Sequence, residues 1–218
     1  MADVSSRTGT RYATSALLAY LDQLHAPHDP ALANAFALPA REGMPEIQVG
    51  PSEAKLLALL LSLIRPHRVV EVGTLAGYSA IAMARALPPD GTLWTLECDP
   101  KHHRVATRAI AEAGLAAAVH CLLGDAIDSL DALARDHAPF DAMFIDADKE
   151  RYDAYGRWAA VHLRPGGILL ADNAYLFGHL LDDTEEAAAM RRFHEEATRA
   201  FDTVCIPTPD GLLLGIKR

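Results

Sequence analysis

Arg68-Val69-Val70-Glu71-Val72-Gly73-Thr74-Leu75-Ala76-Gly77-Tyr78-Ser79 decides how the chain folds. Its first five residues are β-branched or flanked by β-branched residues, and they read as a short buried strand. The next five carry two glycines, which let a backbone turn sharply and approach a ligand without a Cβ in the way. From Gly77 the pattern becomes helical, to about Leu87. A strand, a glycine turn and a helix in succession form the opening unit of an α/β sheet.

The same alternation continues downstream. Strands are expected at Thr92–Leu96, Ala118–Leu123, Phe140–Ile145 and Ile168–Ala171. Helices are expected at Pro100–Ala113, Asp125–Arg135, Arg151–Leu163 and Thr184–Ala200, with Arg164-Pro165-Gly166-Gly167 as a tight turn. Continuously apolar strands between helices imply a parallel sheet covered on both faces. The last two strands, Thr203–Ile206 and Leu212–Ile216, are separated only by Pro207-Thr208-Pro209-Asp210-Gly211. Five residues are too few for a parallel crossover, so this pair is antiparallel. The expected fold is α/β: a doubly wound, mostly parallel seven-stranded sheet, Rossmann-like, ending in an antiparallel hairpin. Ligands of such sheets bind beyond the carboxyl ends of the strands.

Upstream, helices are expected at Tyr12–His25 and Pro30–Leu38, then a loop from Pro39 to Pro51. A third helix, capped by Ser52 and stopped by Pro66, is apolar almost all round and reads as buried. Residues 1–50 are therefore expected to be a helical segment, a cover and possible subunit contact, and 51–218 the α/β domain. Arg7 and Arg11 before Ala13–Leu21 mimic a secretion signal, but Asp22 and Gln23 follow with no small-residue cleavage site, so a helix is the better reading. The longest apolar run, Leu56–Ile64, is far short of the ~20 residues a membrane span needs.

Composition narrows the function. The 218 residues hold 20 Lys and Arg against 29 Asp and Glu, a net charge of −9, which disfavours nucleic-acid binding. Cys98, Cys121 and Cys205 are too far apart for zinc spacing or a disulfide scaffold, and read as small buried strand residues in a reducing cytoplasm.

The glycine loop lacks the middle glycine of the dinucleotide fingerprint and carries Glu71, which repels phosphate and suits a cationic ligand. Glu97 ends the next strand 20 residues after Gly77, where an acid accepts ribose hydroxyls; its plain alternative is a surface acid. Asp125 reads first as a helix N-cap, at an edge where it could also meet an adenine amino group. The fourth strand runs into Asp146-Ala147-Asp148-Lys149 and the fifth into Asp172-Asn173. If those strands are neighbours, Asp146, Asp172 and Asn173 bring three hard oxygen ligands together, a set suited to Mg²⁺ or Ca²⁺. Taken singly, each is equally a helix cap or turn former. Lys149, three residues past Asp146, is placed to act as a general base, or is an exposed lysine in a charged helix start.

Glu71-x-Gly73-x-x-x-Gly77-Tyr78-Ser79, Asp146-Ala147-Asp148-Lys149-x-x-Tyr152, Pro165-Gly166-Gly167 and Asp172-Asn173 together resemble the cation-dependent O-methyltransferases, the caffeoyl-CoA type with catechol O-methyltransferase more distant. The resemblance begins at about Ile47. It implies S-adenosylmethionine as methyl donor, Mg²⁺ (or Ca²⁺ or Mn²⁺) as metal, a vicinal aromatic diol as acceptor, and a homodimer. Carried over, Glu71, Gly73, Thr74 and Ser79 line the methionine end of the donor, with Val49 touching it through its backbone. Glu97 holds the ribose, Asp125 and Ala126 flank the adenine, and Asp146 lies beside the donor. Asp146, Asp172 and Asn173 hold the metal, Lys149 is the base and Asp148 contacts substrate. Two other readings remain open at this stage: a nicotinamide-dependent oxidoreductase on a similar sheet, and a non-catalytic binder of an adenosyl ligand.

Overall fold

The structure, a computed structural model, describes residues 12–218. Arg7 and Arg11, weighed above as a basic leader, fall outside the described residues. Seven strands form one sheet in the order β3-β2-β1-β4-β5-β7-β6. They are β1 Arg68–Val72, β2 Thr92–Glu97, β3 Val119–Leu123, β4 Phe140–Ile145, β5 Leu163–Ala171, β6 Phe201–Ile206 and β7 Leu212–Lys217. The first five are parallel; β7 runs antiparallel to both β5 and β6. The doubly wound sheet with a closing hairpin is as expected.

Among the described residues eight α-helices flank it: α1 Ser15–His25, α2 Pro30–Glu42, α3 Pro51–Ile64, α4 Tyr78–Ala84, α5 Pro100–Glu112, α6 Ala126–His137, α7 Tyr152–His162 and α8 Glu185–Ala200. Alternate strand residues feed two core layers. Val69, Phe144 and Leu170 join α2 to α5 on one face, and Val70, Met143 and Leu169 join α6 to α8 on the other. This two-sided burial is why these strands carry apolar residues at consecutive positions. Because α2 contributes Ala35 and Leu38 to the first layer, the N-terminal segment shares the core of the sheet.

Several local expectations change. The second helix runs through Pro39 to Glu42, because Gly43 at φ 59° supplies the left-handed stop and the Met44 N–H returns to the Pro39 carbonyl. Gly50, not Ser52, caps α3, with Glu53 accepting from the Gly50 N–H; Ser52 instead donates to Asp22. That helix is buried on one side only, and Leu59 and Leu63 face solvent. Strand β5 begins at Leu163 rather than Ile168, so Arg164 to Gly167 form an irregularity inside the strand instead of a turn before it. Asp141 fills that irregularity, accepting from Arg164 and from the His67 and Arg68 N–H groups. Cys98 lies just past β2 and is exposed, while Cys121 and Cys205 are half-buried, so none is the sealed core residue expected; all three are free thiols.

Candidate active site

The parallel strands end on one edge, and a cavity of about 690 Å³ opens there. The register sets its chemistry. Ile145 pairs with Ala171, and the Asp172 N–H bonds the Ile145 carbonyl at 2.9 Å, so the residues after β4 and β5 leave the sheet side by side. The Asp146 N–H bonds the Val72 carbonyl in the same way, which brings β4's exit against the loop after β1. Gly73, at φ +96°, is the point of closest approach: a Cβ there would lie 1.9 Å from the Asp146 carbonyl oxygen. Only glycine fits.

Of the residues singled out in the sequence, Val49, Gly73, Thr74, Ser79, Glu97, Ala126, Asp146, Asp148, Lys149 and Asn173 line this cavity. Glu71, Asp125 and Asp172 do not. Glu71 pairs in register with Thr95 and is fully buried under the loop, where its carboxylate accepts from the Ser79 and Thr95 hydroxyls, each at 2.6 Å. Burial pushes that carboxyl up to about 8, against the pull of both hydroxyls. In this arrangement its carboxyl orients the Ser79 hydroxyl, which lines the cavity. Asp125 caps α6 through Oδ1 and takes the Arg151 guanidinium at 2.7 Å through Oδ2. That ion pair holds its carboxyl below the usual range.

Glu97 accepts from the Leu75 N–H and the Asp99 N–H, one bond per oxygen, which leaves each oxygen a second acceptor site. Lys149 Nζ donates to the Tyr152 hydroxyl at 2.9 Å and to Asp146 Oδ1 at 3.3 Å. Tyr152 is completely buried, and burial drives its phenol well above its ordinary value. Its hydroxyl therefore stays protonated and donates to the Asp172 carbonyl at 3.1 Å. Asp148 accepts from Arg151 at 2.6 Å and from the Tyr155 hydroxyl at 2.7 Å, one bond per oxygen.

Burial raises both Asp146 and Asp172. Asp172 is pushed up to about 7, with the neighbouring Asp146 carboxylate the next cause. A hard divalent cation bound beside Asp146, Asp172 and the Asn173 amide would relieve the burden on Asp172. Among the described residues no three His, Cys, Asp and Glu side chains assemble around a point that would hold a metal; here the third oxygen is an amide.

Sequence reasoning missed Tyr152 as the partner of Lys149, Arg151 as the bridge from Asp125 to Asp148, and Ile47 and Phe177 in the cavity wall. The charged flank of Tyr152 hinted at the first two; nothing local marked the others. A larger, shallower depression of about 1350 Å³ lies at the opposite, amino ends of the strands. Within it Arg164 pairs with Asp141 and His67 with Asp90, and it lies away from the edge where such sheets bind ligands.

Residues 24–218 match a family described as O-methyltransferase. A catechol O-methyltransferase of Niastella koreensis is 46% identical over 210 residues, covering 91% of this chain and 95% of that protein. A second, from Mycobacterium tuberculosis, is 41% identical over 172 residues, 79% of this chain and 77% of that one. The crystal structure of an O-methyltransferase from Bacillus cereus in complex with SAH superposes with a TM-score of 0.89 at 31% identity, covering 93% of this chain and 97% of that one.

Proposed function

The chain belongs to the O-methyltransferase family and is an S-adenosylmethionine-dependent enzyme, and we propose that it methylates one hydroxyl of a small vicinal aromatic diol in a divalent-metal-dependent reaction. The observation that carries this reading is the Lys149 amine, held between the Asp146 carboxylate and the Tyr152 hydroxyl on the wall of the cavity that the Gly73–Ser79 loop also lines. Family membership removes the oxidoreductase reading.

In this proposal the loop from Gly73 takes the methionine end of the donor. Ser79, whose proton goes to Glu71, presents its remaining lone pairs to the donor's ammonium. Glu97 uses its two spare acceptor sites for the ribose hydroxyls, and Ala126 and Val49 border the apolar part of the cavity. Asp125 acts through Arg151, not by touching the adenine. The donor supplies an electrophilic methyl on a sulfonium. Asp146, Asp172 and Asn173 would hold the metal, preferentially Mg²⁺, which when bound supplies Lewis-acid polarisation of the diol oxygens. Lys149 takes the acceptor's hydroxyl proton at Nζ, and the resulting oxyanion attacks the methyl carbon in line as the carbon–sulfur bond breaks and S-adenosylhomocysteine leaves. Tyr152 and Asp146 keep that amine in place, and the cavity contributes mainly by positioning.

Beyond the chemistry, we place the enzyme in the cytoplasm, on its three free thiols. We read it as a homodimer without nucleic-acid or membrane partners. The exposed Leu17, Tyr20 and Leu24 of α1 and Leu63 of α3 suit a subunit contact. We keep residues 1–50 as a cover and 51–218 as the catalytic unit. No helix among the described residues is long and apolar enough to cross a membrane.

The test is transfer of labelled methyl from S-adenosylmethionine to a panel of catechols, phenylpropanoids and flavonoids, with and without Mg²⁺. Lys149→Ala is expected to lose on the order of 10²–10⁴ in turnover while S-adenosylhomocysteine still binds. No transfer to any diol sinks the reading, and an undiminished Lys149→Ala rate removes the lysine from it.

A further inference from the structure

The loop after β5 is strained and pinned. Five non-glycine residues among those described have positive φ, and three of them are here: Asn173 at 55°, Leu176 at 49° and Phe177 at 53°. Such conformations cost on the order of 1–3 kcal/mol each and persist only where surrounding contacts impose them. The contacts come from the turn between β6 and β7. The Ala174 N–H bonds the Gly211 carbonyl and the Tyr175 N–H bonds the Asp210 carbonyl, both at 2.9 Å. The Phe177 N–H bonds Asp210 Oδ1 at 2.8 Å. The Tyr175 ring packs so closely on Gly211 that a Cβ there would lie 2.7 Å from it.

Two further observations say what the pin serves. Asp210 Oδ2 is buried and has no hydrogen-bond partner among the described residues, an arrangement that lowers stability. Phe177, 64% exposed, lines the cavity, as does Ile47, 72% exposed. Two large apolar side chains are thus kept in water at the wall of a binding cavity, one of them in a disfavoured backbone conformation.

We infer that Asp210 is a positioning residue for the methyl acceptor: through the Phe177 N–H it fixes the Phe177 ring as a wall against which the acceptor's aromatic face packs. The inference rests on the diol-methylating reading above. It makes a distant hairpin turn a determinant of acceptor affinity and leaves the donor end of the cavity untouched.

The experiment compares steady-state kinetics of the parent enzyme, Asp210→Ala, Asp210→Asn, Phe177→Ala and the Asp210→Ala/Phe177→Ala double variant, on the best catechol found. Asp210→Ala should raise the acceptor KM about tenfold and leave the KM for S-adenosylmethionine within about twofold. Asp210→Asn keeps a carbonyl oxygen for the Phe177 N–H and should stay near the parent. Phe177→Ala should match Asp210→Ala, and the double variant should be no worse than either. An unchanged acceptor KM in Asp210→Ala, a parallel rise in both KM values, an Asn variant as impaired as Ala, or a double variant that sums the single losses overturns the inference. So does an Asp210→Ala protein that does not fold, since the pin then serves the fold. A parent enzyme that transfers to no diol refutes the underlying reading and removes this inference with it; a working parent with indifferent variants refutes this inference alone.

Discussion

Replacing Gly73 with alanine tests how far the site depends on close backbone approach. The added Cβ would stand 1.9 Å from the Asp146 carbonyl oxygen and 2.9 Å from its carbon. Real Cβ contacts essentially never fall under 3.0 Å, so Asp146 must retreat by about 1.1 Å. Alanine at φ +96° also costs about 1–2 kcal/mol in backbone conformation. Retreat breaks the bond from the Asp146 N–H to the Val72 carbonyl, worth about 1 kcal/mol, and strains the β1–β4 packing by a further ~1–3 kcal/mol. The sum is roughly 3–6 kcal/mol, or on the order of 10 °C in Tm for a chain of this size. Gly114→Ala is the control: φ is +76° and nothing lies within 4 Å of the new atom, so only the conformational cost of about 1–2 kcal/mol applies. A displacement of this size at the tip carrying Lys149 should also cut methyl transfer about a hundredfold, while Gly114→Ala stays within a factor of two. Thermal melts and transfer rates of the two variants decide it. Equal losses of stability would show that the contact is relieved without moving Asp146, and the account of the glycine would be wrong.

Glu71, with its carboxyl near 8 in the fold against an ordinary 4.5, binds a proton in the folded state that the unfolded chain releases. Its contribution is therefore fully present below about pH 4.5 and is lost as pH rises through about 8. Ligand-free melts between pH 6 and 8.5 should show a falling Tm that Glu71→Gln flattens; identical slopes would clear Glu71 of the effect. Mg²⁺ should stabilise the parent by the linkage amount, about 2.7 kcal/mol at a hundredfold excess over Kd, and so raise its Tm. Asp172→Asn should shrink that rise, and a parent indifferent to both Mg²⁺ and chelator would remove the metal from the proposal.

The sheet was legible because its signals are local. Apolar strands alternate with helical segments, and the five residues Pro207–Gly211 allow only an antiparallel return. Strand β5 was cut short because Pro165-Gly166-Gly167 carries every mark of a turn; the Asp141 side chain that lets it run on as an irregular strand comes from another strand. Helix α2 was ended at Pro39 because proline is the usual stop signal, whereas the operative stop is Gly43. At the site, ten of the thirteen residues named from motif positions line the cavity. What the motifs could not give was who satisfies whom. Glu71 is held by the Thr95 hydroxyl, its partner on the neighbouring strand, and Asp148 accepts from both Arg151 and Tyr155; no local pattern marks these pairings. Phe177 carries no pattern at all; its position is set by Asp210, 33 residues later.

The strand order also constrains how the molecule can be assembled. Among the described residues strand β6 touches no strand except β7, and β7 is the piece wedged between β6 and β5. Any partly folded species that lacks β7 leaves β6 without a ladder and β5 with an open row of N–H and C=O groups, the kind of edge that recruits other chains. Completion of the sheet thus waits on six late residues, Leu212–Lys217, and a substitution that delays their insertion would surface first as aggregation during refolding, before any change in the finished enzyme.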